Sequence, residues 1–322
     1  MTVARTVCLT LLAFAATTLV GCGGSDNAIL FQNITERASW GATNFLAFAS
    51  FGANGQKYIY RSNKLGGAQF LLTRSDNDDD LNDEGGWQPS HSPDGLTVAF
   101  SARRAGGSTS LFKMDARDGD RVPITQLTNS GVAGKDIQPN WKPDATKIIF
   151  ATDKVIGGGT GGLDIASVNA DGSGLEYIVA TVALEQWPTY SPDGTKIAYQ
   201  VGPVSGPTNI IVRELGTGAE TNITAALHSG PGSVARFEAP AWADIGGTEW
   251  IYFHSDREGD FDIFRVLPDG SGLQQITDDQ RSDGYTVVGP DADRLLFTRD
   301  RELWARDVGP GDGDERRITR RY

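Results

Sequence analysis

Short apolar runs recur along the chain, and residues that favour turns bound each run. Six of these runs are similar in length and composition: 44–48, 97–100, 147–150, 196–199, 250–253 and 294–297. Runs this short, with apolar residues on both faces, are typical of strands buried between packed sheets. No stretch carries the periodicity of a long amphipathic helix. The pattern therefore predicts an all-β protein.

A unit of about 50 residues repeats six times. The repeats start near Trp40, His91, Trp141, Tyr190, Trp242 and Val288, at spacings of 51, 50, 49, 52 and 46 residues. Ser-Pro-Asp-Gly follows at 92–95 and 191–194, and related turns occupy 142–145 and 289–292. Ser, Pro, Asp and Gly suit successive positions of a type I turn. A tight turn therefore connects the first two strands of these four units, whereas the turn sequence has drifted at 40–43 and 242–245.

Each unit also contains a third apolar run, a hairpin signal and a final short run that often ends in Thr. Asp171-Gly172 and Asp269-Gly270 begin the same five residues in two repeats, and Asp-Gly is a strong hairpin signal. Four short antiparallel strands in about 50 residues are the signature of a β-propeller blade. Six copies predict a six-bladed β-propeller over residues 36–322.

The repeat resembles that of TolB and its relatives: an aromatic residue, Ser-Pro-Asp-Gly, an apolar strand, then Ser/Thr-Asp-Arg. His254-Ser255-Asp256-Arg257 after Phe253 fits that pattern best. The resemblance covers residues 36 to 322 and implies six blades. By analogy with TolB, which captures a lipoprotein, the ligand expected from this resemblance is a protein or peptide of the cell envelope. TolB itself carries an additional α/β domain before its propeller, whereas here only a short tether is expected.

The N-terminal 22 residues resemble a bacterial lipoprotein signal. Arg5 precedes an apolar run over 7–20, and Leu19-Val20-Gly21-Cys22 is similar to a lipobox. The resemblance implies that residues 1–21 are removed and that Cys22 is lipidated. Residues 22–35 then form the lipidated N-terminus and a flexible tether. Gly23 favours the outer membrane, facing the periplasm; the alternative is an ordinary cleaved signal with a chance cysteine.

The net charge and the cysteine content restrict the classes of ligand and metal site that the protein can have. The net charge of −12 argues against nucleic acid and anionic lipid as ligands. Cys8 and Cys22 are the only cysteines, so the body of the protein has neither a disulfide nor a cysteine metal site. We expect a monomer that contacts the membrane through its lipid anchor and needs no organic cofactor.

One acidic segment offers a candidate metal site. Its oxygen-bearing side chains are Asp76, Asp78, Asp80, Asn82 and Asp83. Carboxylates at alternate positions suit the many oxygen ligands of Ca²⁺. The EF-hand pattern fails, because no glycine occupies its sixth position. The segment is therefore either a calcium site or a solvated acidic loop.

Two functions remain open. His91, His228 and His254 are far apart in sequence and show no metal-ligand spacing, and no Gly-x-Ser-x-Gly elbow is present. We therefore expect a membrane-anchored envelope lipoprotein whose propeller binds a protein or peptide, with loops 74–86 and 154–162 as contacts. The alternative is a propeller enzyme or carbohydrate-binding protein that uses the central channel. Tryptophans 87, 141, 187 and 242 are expected to be wedges between blades.

Overall fold

A computed structural model describes residues 37–43, 45–52, 56–67, 69–73, 86–103, 107–119, 124–129, 134–154, 162–203, 205–228, 235–309 and 313–319. Within these ranges the chain forms six four-stranded antiparallel sheets, in chain order. The fold is the six-bladed β-propeller that the repeat predicts. Almost no helix accompanies it: one 3-10 turn, Ala225–Leu227, lies in the described ranges. No helix among the described residues is long and apolar enough to cross a bilayer.

Each blade is built from consecutive strands. Blades 1 to 3 comprise β1 (Ser39–Trp40), β2 (Phe45–Phe51), β3 (Lys57–Asn63) and β4 (Phe70–Leu71); β5 (Trp87–His91), β6 (Thr97–Arg103), β7 (Thr109–Asp115) and β8 (Thr125–Gln126); and β9 (Asp136–Trp141), β10 (Lys147–Thr152), β11 (Asp164–Asn169) and β12 (Glu176–Val179). Blades 4 to 6 comprise β13 (Leu184–Tyr190), β14 (Lys196–Gly202), β15 (Asn209–Glu214) and β16 (Glu220–Asn222); β17 (Phe237–Ile245), β18 (Thr248–Ser255), β19 (Asp262–Val266) and β20 (Gln274–Gln275); and β21 (Asp283–Val288), β22 (Arg294–Arg299), β23 (Glu302–Asp307) and β24 (Arg316–Arg317). The first strand of each blade lines the central channel.

Apolar side chains fill the spaces between blades. Six buried clusters each join two neighbouring blades, and blade 6 packs against blade 1 through residues such as Leu296, Leu303 and Tyr60. Most of the packing free energy is therefore shared between units, and a single blade has little core of its own. The described strands of blades 1 and 6 belong to separate sheets, so face-to-face packing closes the ring.

Glycines allow the blades to approach closely at the hairpins between third and fourth strands. A Cβ on Gly119 would lie 2.3 Å from the Leu72 carbonyl oxygen of the preceding blade, and Gly172 and Gly270 make the equivalent approach. Gly66 repeats it across the closure, because its Cβ would lie 1.9 Å from the Ile318 carbonyl oxygen. The same contact therefore recurs where the first and last blades meet.

Two repeated polar residues have structural roles. The turn carboxylates of Asp94, Asp144 and Asp193 each accept a backbone N–H two residues later. The threonines that end five blades each accept the N–H of a third-strand residue: Thr73, Thr128, Thr224, Thr277 and Thr319. Both residue types satisfy backbone donors at strand ends, which explains why they recur in the sequence.

Candidate functional site in the central channel

The aromatic position of each repeat lies at or near the end of a channel-lining strand. Three residues before it lies a position that we call the channel ring: Arg37, Gln88, Gln138, Trp187, Ala239 and Tyr285. Five of these six residues have φ between 50° and 61°, and a β-bulge interrupts the pairing at each of those five. A left-handed backbone at a non-glycine residue costs about 1–3 kcal/mol, so surrounding contacts must stabilise it.

Side chains of neighbouring blades supply those contacts. Gln88 accepts the Gln138 N–H at 2.9 Å, and Gln138 in turn accepts the Trp187 N–H at 2.8 Å. Gln200 of blade 4 accepts the Ala239 N–H at 3.2 Å. These bonds pair three of the five bulged amides with the preceding blade, so these positions also link adjacent blades.

The other half of the channel ring fills the channel with side chains. Arg37 crosses from blade 1 to blade 5, where its Nη2 donates to the carbonyl oxygens of Ala239 (2.9 Å) and Pro240 (2.6 Å). Its guanidinium lies 5.3 Å from the centre of the Trp187 ring, and that ring lies 5.2 Å from the Tyr285 ring. Side chains from blades 1, 4 and 6 therefore meet over the backbone of blade 5.

A cavity of about 450 Å³ lies on one side of this meeting point, and all six blades line it. Its lining residues lie at the channel ring or later in each first strand, so the cavity opens at the end where first and second strands are joined. Its walls include Trp40, Trp141, Tyr190 and Trp242, together with prolines of the repeated turns. The volume lies within the range of ordinary small-molecule pockets, about 300–1,000 Å³.

Carboxylates surround the opening. Asp244 lines the cavity, and Asp94, Asp144, Asp193 and Asp291 each directly follow a lining proline. The hydroxyl of Ser92 and the N–H of Leu96 bind Asp94 and lower the pKa of its carboxyl. Lys142 and Thr146 lower the pKa of Asp144 to about 2, and Ser191 lowers that of Asp193. These three carboxylates are fully ionised at neutral pH.

His91 also lines this cavity, beside a serine. Its Nδ1 lies 2.9 Å from Ser39 Oγ, which also accepts the His91 N–H at 2.7 Å. Burial lowers the pKa of His91 to about 4, and Nε2 has no hydrogen-bond partner in the described part of the chain. A serine–histidine nucleophile needs a basic imidazole oriented by a third group. This pair instead resembles a packing contact between blades 1 and 2.

Buried carboxylates occupy the opposite end of the channel. Asp136 and Asp283 begin the first strands of blades 3 and 6, and burial raises the pKa of both, that of Asp283 to about 6. Asp283 forms two 2.6 Å hydrogen bonds with the buried guanidinium of Arg299. Burial and the nearby Asp260 raise the pKa of Asp262 to about 7. Asp136, Asp262 and Asp283 are not among the residues that line the cavity.

Several residues singled out in the sequence lie outside the described residues: Cys22, Asp76, Asp78, Asp80, Asn82 and Asp83. Lipidation and calcium binding therefore stay predictions. Among the residues that are described, no three His, Cys, Asp or Glu side chains converge as a metal site would require. Almost all of the residues in the expected contact loops, 74–86 and 154–162, also lie outside the described residues, so their role in binding stays a prediction.

The histidines and tryptophans separate into different environments. His228 bonds Asn209 and His254 lies 3.4 Å from Glu238, so the three histidines are not grouped. Trp141 and Trp242 are buried, as expected of wedges between blades. Trp187 differs, since it belongs to the channel ring and contacts Arg37 and Tyr285. The sequence signal for the ring was a repeated residue-proline pair: Gln88-Pro89, Gln138-Pro139, Trp187-Pro188 and Ala239-Pro240.

Comparisons with known proteins support the class that the fold defines. No protein-family profile matches the chain. A TolB homologue from Chlorobium luteolum is 29% identical over 250 residues, which are 76% of this chain and 49% of the relative. An uncharacterised protein, Atu1656 of Agrobacterium fabrum, is 33% identical over 111 residues, 34% of each chain. The chain thus spans about half or less of the length of these relatives.

Solved structures give the same fold. TolB from Acinetobacter baumannii superimposes with a TM-score of 0.56 at 20% identity, over 74% of this chain and 52% of that one. A puromycin-hydrolysing peptidase from Mycobacterium tuberculosis has a TM-score of 0.57 at 17% identity, over 85% of this chain and 45% of that one. The protein is a six-bladed β-propeller that is similar in sequence to TolB homologues and in fold to TolB. The peptidase shares the architecture, and fold alone does not assign activity.

Proposed function

We propose that this protein is a lipid-anchored lipoprotein of the cell envelope, placed at the outer membrane facing the periplasm, and that its propeller binds a protein or peptide partner. The observation that carries the binding proposal is the cavity at the turn end of the channel. Its inner end lies at Arg37, and all six blades contribute walls. A partner would enter from one side only and would meet aromatic and proline side chains.

The shape of the site favours an extended segment as the part of the partner that enters. A cavity of about 450 Å³ admits a few side chains but not a folded domain. Aromatic anchors in a rigid, desolvated pocket are typical of the residues that dominate binding free energy. The repeated turns around the opening supply a surface for the rest of the partner.

The chemistry of the lining favours binding over catalysis. The imidazole of His91 is a weak base because burial lowers its pKa to about 4. A general base active near neutrality needs a pKa close to the working pH. The lining also contains the carboxylate of Asp244, which lies at the rim. Asp244 belongs to the first strand of blade 5 and His91 to that of blade 2, so the two residues are not on paired strands. Use of the channel by an enzyme or for carbohydrate binding therefore stays the second alternative.

Partner binding can be tested with a cavity-blocking substitution. Ala243 lines the opening and is partly exposed, so Ala243→Trp places an indole in the entrance. Val182, 91% exposed and at the opposite end of the channel, gives the matched control Val182→Trp. We expect the full-length lipidated protein to capture an envelope protein, A243W to lose that partner, and V182W to keep it. Equal capture by both variants would contradict binding in the cavity.

The lipid anchor can be tested separately. Labelled palmitate should be incorporated into the wild-type chain and into Cys8→Ser, because residue 8 precedes the cleavage site. Cys22→Ser should lose both the label and fractionation with the outer membrane. Incorporation that persists in C22S would contradict lipidation at Cys22, whatever the outcome of partner capture.

A further inference from the structure

We infer that the cavity recognises a carboxylate carried on an apolar group, such as the C-terminal residue of an extended peptide, and that Arg37 supplies the positive charge that binds it. This inference rests on the proposed function, since it names the chemistry of the segment that enters. It makes Arg37 a binding residue as well as a link between blades 1 and 5.

Arg37 is a cation without a counter-ion in the described part of the chain. Its Nη2 donates both hydrogens to carbonyl oxygens, but Nε is buried with no hydrogen-bond partner. No described carboxylate lies within ion-pair distance of the guanidinium. Arg37 as a whole is partly exposed, but its Nε is buried, and a desolvated charge is normally paired because desolvation without compensation costs several kcal/mol. A bound carboxylate would provide the missing charge.

The guanidinium remains charged at neutral pH. Burial lowers the pKa of Arg37 to about 10, which is still well above 7. The lowered pKa reflects incomplete solvation and hydrogen bonding of the cation. Charge-assisted hydrogen bonds between a guanidinium and a carboxylate are among the strongest in proteins. Arg37 also lines the cavity, so a ligand in the cavity can reach it.

A second donor close to Arg37 in the chain lacks an acceptor. Trp40 lines the cavity three residues after Arg37 and is 8% exposed, and its indole N–H has no hydrogen-bond partner in the described chain. Buried polar groups are seldom left unpaired in native proteins. Arg37 and Trp40 are both donors only. The pair therefore favours a ligand that brings oxygen acceptors into the inner part of the cavity.

The charge order along the cavity indicates which way the ligand faces. The positive charge lies at the inner end, whereas the carboxylates of Asp94, Asp144, Asp193 and Asp244 lie around the opening. Polyanions would be repelled at the rim. A peptide C-terminus fits this order. Its terminal carboxylate matches the inner positive charge, an apolar last side chain matches the aromatic walls, and neutral or basic preceding residues match the acidic rim.

The test compares acids with their amides on the full-length lipidated protein in detergent. The probes are N-acetylphenylalanine and the tripeptide Lys-Ala-Phe, each as the free acid and as the C-terminal amide, measured by calorimetry. We expect each acid to bind at least tenfold more tightly than its amide. A tighter tripeptide identifies a peptide terminus as the source of the carboxylate, and equal affinity of the two acids identifies a small organic acid.

Two variants assign the effect to the proposed residues. Arg37→Gln should remove the preference for acids, while Arg281→Gln, at the other end of the channel, should keep it. Because R37Q also removes a link between blades, Trp40→Phe gives a second measurement. This variant keeps an aromatic side chain at residue 40 but loses the indole N–H donor, and it should weaken acid binding several-fold. Circular dichroism and the melting temperature establish that each variant is folded before binding is measured.

Two results would overturn the inference. The first is equal affinity for acids and amides; the second is that none of the four probes binds while A243W still abolishes partner capture. In either case carboxylate recognition is wrong and the proposed binding function stands. If no probe binds and A243W captures the partner as well as the wild type does, both carboxylate recognition and the proposed binding in the cavity are wrong.

Discussion

The two ends of the central channel use aspartate in opposite ways. At the turn end, Asp94 and Asp193 are exposed, accept hydrogen bonds from their own turns, and have lowered pKa values. At the other end, Asp136, Asp262 and Asp283 are buried and their pKa values are raised. The first group satisfies backbone donors in the same way in blades 2 and 4, as Asp144 does in blade 3. The second group has different partners in different blades.

Blades 3 and 6 show this divergence at one structural position. Asp283 faces Arg299 with two short hydrogen bonds, whereas Asp136 bonds Thr152 at 2.6 Å and has Lys154 at 3.8 Å. At the turn end, aspartates thus shape the repeated turns. At the opposite end, aspartates join the first two strands of a blade through a different partner in each blade. Substitutions at the two ends should therefore differ in size and in pH dependence.

The largest effect is expected from Arg299→Met. The substitution leaves Asp283 buried without its partner, and breaking a buried ion pair costs about 3–5 kcal/mol. Lys154→Met is the matched control, because its 3.8 Å ion pair is looser and Lys154 is partly exposed, and it should cost about 1 kcal/mol or less. Urea unfolding at pH 7 measures both. Equal losses would show that the two blades depend on this position equally.

Ring closure gives the next largest effect. Gly66→Ala should destabilise the protein by about 2–3 kcal/mol, because the new Cβ meets the Ile318 carbonyl and φ is +81°. Gly107→Ala is the control: its φ is +92°, but no atom of the described residues lies within 4 Å of the Cβ, so only about 1 kcal/mol of backbone strain is expected. A G66A protein as stable as G107A would mean that blades 1 and 6 are not held this closely.

Asp262→Asn should stabilise the protein in a pH-dependent way. The folded pKa of Asp262 is about 7 and its ordinary value is 3.8, so the ionised carboxylate destabilises the folded state. That penalty is fully present above pH 7 and disappears as the pH falls from 7 to 4. A shift of about three pKa units at about 1.4 kcal/mol each sets an upper bound of about 4 kcal/mol. Because the asparagine NH₂ cannot accept the Gln275 hydrogen bond that the carboxylate accepts, we expect D262N to gain about 2 kcal/mol at pH 8 and little at pH 4. A gain independent of pH would contradict the assignment.

The fold was predictable because its information is local and repeated. Every blade carries the apolar run and four carry the related turn, so several weak signals support one another. The strands observed over Thr97–Arg103 and Lys147–Thr152 contain the runs expected there. The residue-proline pairs of the channel ring were equally repeated, but a residue before proline does not ordinarily indicate a left-handed bulge.

The site was much less predictable. Arg37 contacts Ala239, 202 residues away, and no local pattern reports such a contact. Trp187 was expected to be a wedge, yet it precedes its proline by one residue and therefore occupies the bulge, where its ring faces Arg37. The position of an aromatic residue within a strand determines its environment, and the bulge shifts that position. The repeat register separates Trp187 from Trp141, because Trp187 lies three residues before the repeat start at Tyr190, but the register does not show that this position is a bulge facing the channel.

The smallest effect is expected at the repeated end, from Asp193→Ala. The Asp193 carboxylate accepts hydrogen bonds from Ser191 Oγ at 2.6 Å and from the Thr195 N–H at 3.0 Å. Its removal should cost about 1 kcal/mol at pH 7, a typical value for exposed turn hydrogen bonds. Asp118→Ala is the control, since that exposed side chain accepts no hydrogen bond within the described residues, and it should cost nearly nothing.

The pKa of Asp193 is lowered below 3.8 on folding, so its contribution is present above pH 4 and lost as the pH falls through the folded pKa. Unfolding of D193A and wild type at pH 7 and pH 3 measures this: the difference should shrink at pH 3, opposite to the pH dependence expected at Asp262, and a difference that grew with acid would mean that the two ends do not use aspartate in opposite ways.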